Sequence, residues 1–127
     1  MDKKIIHTGN APAAIGPYSQ AVASNGMLFV SGQIPFVPET MELVSSGIQD
    51  ETHRVMKNLE AILEEAGIGF DHVLKCSIFV ADMGDFASIN KVYGSYFGNQ
   101  PPARETVEVS TLPKNVHVEI SCIATLA

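Results

Sequence analysis

The chain has 127 residues, a length typical of one domain, so we expect a single domain over residues 1–127. Its net charge is −6 and its only basic cluster is Lys3–Lys4, which argues against nucleic-acid binding. Two cysteines make no disulfide framework, and there is neither a signal-peptide pattern nor a membrane-spanning run, so the sequence predicts a cytoplasmic protein that binds no membrane.

Short strands are predicted in the first third of the chain. Their apolar runs and flanking turn residues place them at 3–8, 19–23 and 27–33. Ser24, Asn25 and Gly26 are typical of the tight turn of a hairpin between the second and third strands. The segments 9–18 and 35–47 are rich in glycine, proline and small polar residues, and we expect loops there.

Two helices are predicted in the middle of the chain. Apolar residues recur at three- and four-residue steps over Ile48–Ala66, which indicates an amphipathic helix. Ser46 and Gln49 fit a capping box at its start, and Gly67 fits the left-handed position after its end. A strand is predicted over 73–81. A second helix should then run from 83 to 97, capped by Asp82 and ended by Gly98.

The last two predicted strands, 101–109 and 116–121, alternate apolar and polar residues. The segment between them contains Pro113 and Asn115 and is typical of a turn, so we expect a hairpin that places Arg104 and Glu119 on one polar face. The element order is then β-β-β-α-β-α-β-β. It predicts an α+β domain with a mixed sheet and two helices on one face.

The sheet face without helices has an unusual predicted composition. It is too polar for a core and less charged than an ordinary surface, which favours a subunit interface containing pockets. A simple solvated face is the alternative. The polar residues predicted on this face are Lys75, Ser77, Arg104, Thr106, Glu108, His117, Glu119 and Ser121.

Common catalytic and cofactor motifs are absent from the sequence. There is no P-loop, no GxGxxG and no GxSxG. The four histidines, at positions 7, 53, 72 and 117, lack the spacing of metal ligands, so we predict no metal site.

Several separate motifs resemble one known family, and they occur in order over nearly the whole chain. The sequence is similar to the Rid/YjgF family of reactive intermediate deaminases, and most similar to its RidA branch. The resemblance implies a chorismate-mutase-like fold and a homotrimer with active-site clefts between neighbouring subunits. The motifs are APAAIGPYSQA (11–21), VSGQIP (30–35), EEAG (64–67), FVADMGDFASIN (79–90), PPARETVEV (101–109) and LPKNVHVEI (112–120).

The resemblance also implies an activity. Family members hydrolyse the enamines and imines that pyridoxal-phosphate dehydratases release from serine or threonine, giving 2-oxo acids and ammonia. The expected substrate is therefore a small 2-imino acid such as 2-iminopropanoate or 2-iminobutanoate. Such a site must bind a carboxylate, aim a water and move a proton, and it needs no cofactor.

Two residues match the catalytic positions of the family. Arg104 matches the arginine that binds the substrate carboxylate, a role suited to its planar guanidinium. Its alternative role is a structural ion pair with Glu119 or Glu108. Glu119 matches the glutamate that positions or activates the water, and the alternative is an exposed strand carboxylate.

Five further residues match the substrate-binding positions. Tyr18 matches the cleft tyrosine, and the alternative is a packing role with an anchored hydroxyl. Ser31 and Gly32 match a Ser-Gly pair in which glycine allows close approach of a ligand, unless they mark a bulge or a tight sheet contact. Asn90 matches a helix asparagine, for which a structural role is equally reasonable. Thr106 stands where many RidA members have cysteine, which excludes a thiol nucleophile here and favours direct attack by water.

Two other functions are also compatible with the sequence. A non-catalytic trimeric module would bind small carboxylates in the same clefts without turnover. A ribonuclease or translation inhibitor would act on RNA, which the acidic charge balance disfavours.

Overall fold

Six strands and two helices make up the fold, and the computed structural model describes all residues from 1 to 127. Their order confirms the predicted β-β-β-α-β-α-β-β arrangement and the α+β class. Short 3₁₀ turns at Phe70–His72, Met83–Asp85 and Pro113–Asn115 link some of them. The elements are β1 (Lys4–Ile6), β2 (Ala21–Ser24), β3 (Met27–Gln33), α1 (Ile48–Glu65), β4 (Val73–Val80), α2 (Phe86–Gly94), β5 (Ala103–Glu108) and β6 (Val118–Thr125).

All six strands form one mixed sheet in the order β1-β2-β3-β6-β4-β5. Only β4 and β5 are parallel; the other pairs are antiparallel. The predicted hairpin between β5 and β6 is wrong, because β4 lies between them. Helix α2 crosses over between β4 and β5, so the two strands run the same way.

The register decides which side chains share a sheet face. Cys76 of β4 is opposite Arg104 of β5, and Ile78 is opposite Thr106. Cys76 and Ile78 are buried in the core beneath the helices. Arg104, Thr106 and Glu108 therefore lie on the helix side of the sheet, and their predicted placement on the open face with Glu119 is wrong. That prediction depended on the hairpin, which the structure replaces with parallel pairing.

Both helices cover the same face of the sheet, as predicted. The apolar stripe of α1 is fully buried there, and Ile89 and Tyr93 of α2 join the same core. Burying each large aliphatic side chain of this kind stabilises the fold by about 1.5–3 kcal/mol. Neither helix is long and apolar enough to cross a membrane. The α1 residues concerned are Val55, Met56, Leu59, Ile62 and Leu63.

The ends of the helices agree only in part with the sequence signals. Helix α1 has no side-chain cap, and the Ser46 hydroxyl donates instead to Asp50 at 2.7 Å, so the predicted capping box is wrong. Gly67, at φ 82°, confirms the left-handed position after α1. Asp82 accepts from the Gly84 amide at 2.8 Å and caps the 3₁₀ turn that precedes α2. Helix α2 ends at Gly94, earlier than predicted.

The opposite face of the sheet carries no helix. Large apolar side chains on it remain open, with Phe29 48% and Val107 41% exposed. Between them Lys75 lies 3.0 Å from Glu105, whose carboxylate also accepts from the Ser77 hydroxyl. A surface that mixes open aromatic and aliphatic side chains with a few paired polar groups is typical of an interface.

Candidate functional site

The predicted site residues form two groups, which lie on opposite faces of the sheet. The first group lines a pocket of about 330 Å³, which we call the Glu119 pocket. The second group, called the Arg104 cluster, consists of Arg104, the side chains of Asn90, Phe86 and Tyr93 that contact its guanidinium, and Thr106, two residues along the same face of β5. The Glu119 pocket is lined by Pro12, Ala13, Ile15, Tyr18, Ser31, Gly32, Gln33, Ile34, Phe36, Pro113 and Glu119.

The strand register separates the two groups. Arg104 is opposite Cys76 of β4, whereas Glu119 is opposite Phe79 of the same strand. Positions 76 and 79 differ by an odd number, so their side chains point to opposite faces of the sheet. One protomer therefore does not bring its own Arg104 and Glu119 into a single cleft.

Glu119 is a half-buried carboxylate without a partner. No donor or cation of the chain contacts it, and burial in the pocket raises the pKa of its carboxyl group above the usual value. A carboxyl group with a raised pKa exchanges protons more readily near neutral pH, as a general base or acid requires. The alternative of an ordinary exposed strand carboxylate is wrong.

Gly32 lies directly against Glu119. A Cβ atom at position 32 would be 2.8 Å from the carboxyl carbon of Glu119 and 3.1 Å from its Cγ. The space beside this glycine is therefore filled by the glutamate side chain. Its neighbour Ser31 uses its hydroxyl to donate to the Ser19 carbonyl at 2.5 Å, which fixes the strand at this point.

One wall of the pocket is the loop between β1 and β2, and buried Gln20 holds it in place. The Gln20 side chain accepts from the Thr8 amide at 2.7 Å and donates to the Pro12 carbonyl at 2.9 Å. Tyr18, 48% exposed at the rim, accepts from the Ile15 amide at 3.3 Å. This bond agrees with an anchored tyrosine, and the hydroxyl still has its own proton to donate.

The other wall depends on Asn58 of α1, which the sequence reasoning missed. Its buried side chain donates to the carbonyls of Ile34 at 3.2 Å and Phe36 at 2.9 Å, and it accepts from Arg54 at 3.1 Å. A signal was present, because position 58 falls within the apolar stripe of the helix. A polar residue there must find buried partners.

Arg104 extends from the edge strand β5 towards α2. It donates to the side-chain carbonyl of Asn90, and its guanidinium carbon lies 5.5 Å from the ring centre of Phe86 and 5.2 Å from that of Tyr93. Rings stacked on guanidinium hold it by cation–π attraction while its remaining N–H groups stay free. Asn90 therefore acts at least in part by orienting Arg104.

No carboxylate neutralises Arg104, so the structural ion pairs considered for it are wrong. Glu119 is on the other face of the sheet, and Glu108 accepts from the Met83 amide at 2.7 Å. The adjacent Glu105 is bound by Ser77 and Lys75, which hold the pKa of its carboxyl group below the usual range. The cation is left available for an external anion.

Two hydroxyl groups next to Arg104 lack strong partners. The Thr106 hydroxyl is enclosed and makes no hydrogen bond, and the Tyr93 hydroxyl has beside it only the weakly interacting thiol of Cys76. Burial raises the pKa of Tyr93 far above its usual value, so this group stays protonated. Enclosed hydroxyls without partners are unusual in folded proteins and suit a site that binds something else.

The histidines are bound elsewhere or isolated. His117 lies 3.0 Å from the carboxylate of buried Glu51, and His53 lies 2.9 Å from the Tyr96 hydroxyl. The structure has no group of three or more histidine, cysteine, aspartate or glutamate side chains arranged to hold a metal ion.

Known proteins resemble this chain over almost its full length. The family model described as Endoribonuclease L-PSP matches residues 8–126. Protein DfrA of Myxococcus xanthus is 53% identical and covers 98% of this chain and 96% of its own. The 2-iminobutanoate/2-iminopropanoate deaminase of Mus musculus is 43% identical, with 96% and 90% covered. A Yersinia pestis protein, described as of unknown function in the conserved Rid protein family, is 48% identical, with TM-score 0.95 and 98% and 99% covered.

Proposed function

The chain belongs to the Rid/YjgF family, and from this membership we propose that it is a 2-iminobutanoate/2-iminopropanoate deaminase. The substrate is a small 2-imino acid released by a pyridoxal-phosphate dehydratase, and the products are a 2-oxo acid and ammonia. One observation carries the proposal. The arginine and the glutamate that this chemistry requires are both present, and neither has a charged partner in its own chain.

Arg104 binds the substrate carboxylate. Its guanidinium has free N–H groups in a planar arrangement that matches a carboxylate, and Asn90 with two aromatic rings fixes its orientation. The bound carboxylate then places the imine carbon at a defined distance from the water, which lowers the entropic part of the barrier.

Glu119 moves the protons. Its carboxylate takes a proton from water as the oxygen bonds to the imine carbon, the electrons of the C=N double bond pass to nitrogen, and the Glu119 carboxyl group gives its proton to that nitrogen. The resulting carbinolamine then breaks its C–N bond as Glu119 takes the hydroxyl proton and passes it to the leaving nitrogen, which restores a carbonyl group and releases ammonia. Burial supports this role because it raises the pKa of Glu119 towards the working pH. No electron leaves the substrate, so the reaction as written needs no cofactor.

The two groups meet only if neighbouring copies share a cleft. We propose a homotrimer in which the Arg104 cluster of one copy faces the Glu119 pocket of the next. Two observations support this arrangement: the groups lie on opposite faces of one sheet, and the open sheet face exposes large apolar side chains. An isolated protomer would hold two halves of two different sites.

Thr106 contributes a hydroxyl to the Arg104 side of this cleft. Because it stands in place of the family's common cysteine, water attacks the imine carbon directly. The Thr106 hydroxyl is enclosed and has no partner in its own chain, and in this proposal it turns towards the cleft to donate a hydrogen bond to the substrate. We place the reaction in the cytoplasm and assign nucleic acid and membranes no part in it.

The test is a coupled assay with a serine or threonine dehydratase. An excess of dehydratase makes imine hydrolysis the slow step, and the rate of 2-oxo acid release should rise in proportion to the added protein. The dehydratase alone measures the spontaneous reaction, and the Arg104→Ala/Glu119→Gln double variant controls for added protein. A rate equal to that of the double variant would contradict the proposal.

The non-catalytic binding module is the second candidate, since the same free arginine favours any small carboxylate. It predicts Arg104-dependent binding of 2-oxobutanoate by calorimetry, with no acceleration in the coupled assay. The RNA-directed alternative agrees with the description of the family model but not with the net charge of −6.

A further inference from the structure

Strand β3 contains one extra residue at Ser31 and Gly32. Val30 pairs with Cys122 and Gln33 pairs with Ile120, so two residues of β3 stand opposite the single residue Ser121 of β6. This arrangement is a β-bulge, a device that bends a strand and redirects side chains near functional sites. Hydrogen bonds fix the bulge on the β2 side, where the Ser31 amide donates to the Gln20 carbonyl at 2.9 Å.

The bulge brings the bare backbone of Gly32 under the side chain of Glu119. Carbon atoms in favourable contact are about 3.5–4.0 Å apart. A Cβ at position 32 would be 2.8 Å from the carboxyl carbon of Glu119. At no other glycine of the chain would a Cβ come within 3 Å of its surroundings.

Conformational freedom does not explain this glycine. Gly32 is absent from the glycines with positive φ, which are Gly26, Gly47 and Gly67. An L-residue could therefore adopt the backbone conformation at position 32, and the requirement there is space.

We propose that Gly32 is a positioning residue for Glu119: the lack of a side chain at position 32 lets the catalytic carboxylate lie inside the pocket against the bulge. The inference deepens the proposed function, on which the catalytic consequence rests, but the positioning itself does not depend on that function. The atoms that a Cβ would meet belong to a flexible side chain, so the glutamate would swing outwards and the sheet would remain.

The displacement changes the chemistry of Glu119. In the pocket the carboxyl group has no partner, and burial raises its pKa. Pushed towards solvent, it would regain hydration, and its pKa would return towards the ordinary glutamate value. It would also lose its alignment with the attacking water.

The primary test is Gly32→Ala in protein labelled with ¹³C at the glutamate carboxyl, with Glu119→Gln assigning the Glu119 signal. NMR titration should show the pKa of Glu119 lower in Gly32→Ala than in the wild type. Gly98→Ala is the matched control, because Gly98 is exposed, has no atom within 4 Å of its Cβ position and lies in neither group. An unchanged Glu119 pKa in Gly32→Ala would overturn the inference.

The kinetic test uses the coupled assay. In Gly32→Ala, kcat at neutral pH should fall by about tenfold or more, since a misplaced general base loses part of its usual contribution of about 10²–10⁴. KM should change by less than about threefold, because Arg104 is untouched. In the pH profile of kcat, the acid limb of Gly32→Ala should lie at lower pH than that of the wild type. If Gly32→Ala has the kcat of the wild type and the acid limb of its pH profile is not shifted, the inference is contradicted. If the wild-type protein itself shows no turnover, only the proposed function is contradicted, and the NMR titration of Glu119 still tests the inference.

A double variant tests the inference if Gly32→Ala does not fold. If Gly32→Ala does not fold because its Cβ clashes with Glu119, then Gly32→Ala/Glu119→Ala should fold, since alanine at position 119 removes all three Glu119 atoms that the Cβ would meet. A double variant that also fails to fold would show that space for Glu119 is not what position 32 requires.

Discussion

Replacing Arg104 with alanine should lower the catalytic activity much more than the stability of the fold. The guanidinium has no carboxylate partner in its own chain, so its charge is available to an external anion. Removing one partner of a desolvated charge pair costs about 2–5 kcal/mol of binding. Since about 1.4 kcal/mol corresponds to tenfold in rate, we expect kcat/KM of Arg104→Ala to fall about a hundredfold or more.

The structural loss in Arg104→Ala is smaller. The side chain makes one hydrogen bond to Asn90, worth about 0.5–1.5 kcal/mol. Its contacts with the rings of Phe86 and Tyr93 add about 0.5–1 kcal/mol at an exposed site. For a chain of this length the sum lowers Tm by on the order of 5 °C.

The assay measures kcat/KM, Tm and mass on the same Arg104→Ala preparation. Lys91→Ala is the matched control, because Lys91 is an exposed cation of α2 next to Asn90 and takes part in neither group. Arg104→Lys should recover little activity, since an ammonium keeps the charge but lacks the planar fork. A folded Arg104→Ala protein with wild-type kcat/KM would refute the reasoning, as would an activity loss no larger than its unfolded fraction.

Two further substitutions test proton transfer by Glu119 and the identity of the nucleophile. Glu119→Gln should lower kcat about a hundredfold or more while 2-oxobutanoate still binds, and full turnover by this variant would remove Glu119 from the mechanism. Because burial raises the pKa of Glu119, turnover of the wild type should decline on acidification at a pH above the ordinary glutamate pKa. Thr106→Cys should change kcat by less than about tenfold if water attacks directly, and a much larger gain would mean that a thiol takes part.

The local structure could be predicted from the sequence because it depends on short-range patterns. The apolar run and its flanking turn residues placed β3 at Met27–Gln33, and the three- and four-residue periodicity gave α1 to within one residue. Asn25 and Gly26 both adopt positive φ, as the hairpin turn between β2 and β3 requires. In each case the cause and the effect lie within a few residues of each other.

The faces of the sheet could not be predicted because they depend on which strands pair. The alternation in β5 correctly grouped Arg104 with Thr106 and Glu108, but it could not say that β4 is their neighbour. The crossover through α2 decides that, and it is a long-range property of the packed chain. Family resemblance likewise identified Gly32 as a site residue without showing that Glu119 occupies the space beside it.

The separation of Arg104 from Glu119 leads to a prediction for mixed assemblies. Arg104→Ala and Glu119→Gln should each be nearly inactive alone. If a working cleft takes its arginine from one copy and its glutamate from the next, an assembly containing both variants has some clefts in which both residues are intact. Neither variant contributes such a cleft by itself, so activity that appears on mixing must come from clefts between copies.

The expected recovery follows from random reassortment. In an equal mixture, half of the copies supply an intact Arg104 and half of their neighbours supply an intact Glu119, so about a quarter of the clefts should work. The two variants are unfolded together, refolded and assayed for 2-oxo acid release, with light scattering to confirm a trimer. Mixing the two folded variants without refolding is the control and should give no recovery of 2-oxo acid release. If the refolded trimers also stay inactive, Arg104 and Glu119 do not meet across a subunit boundary, and the shared cleft is wrong.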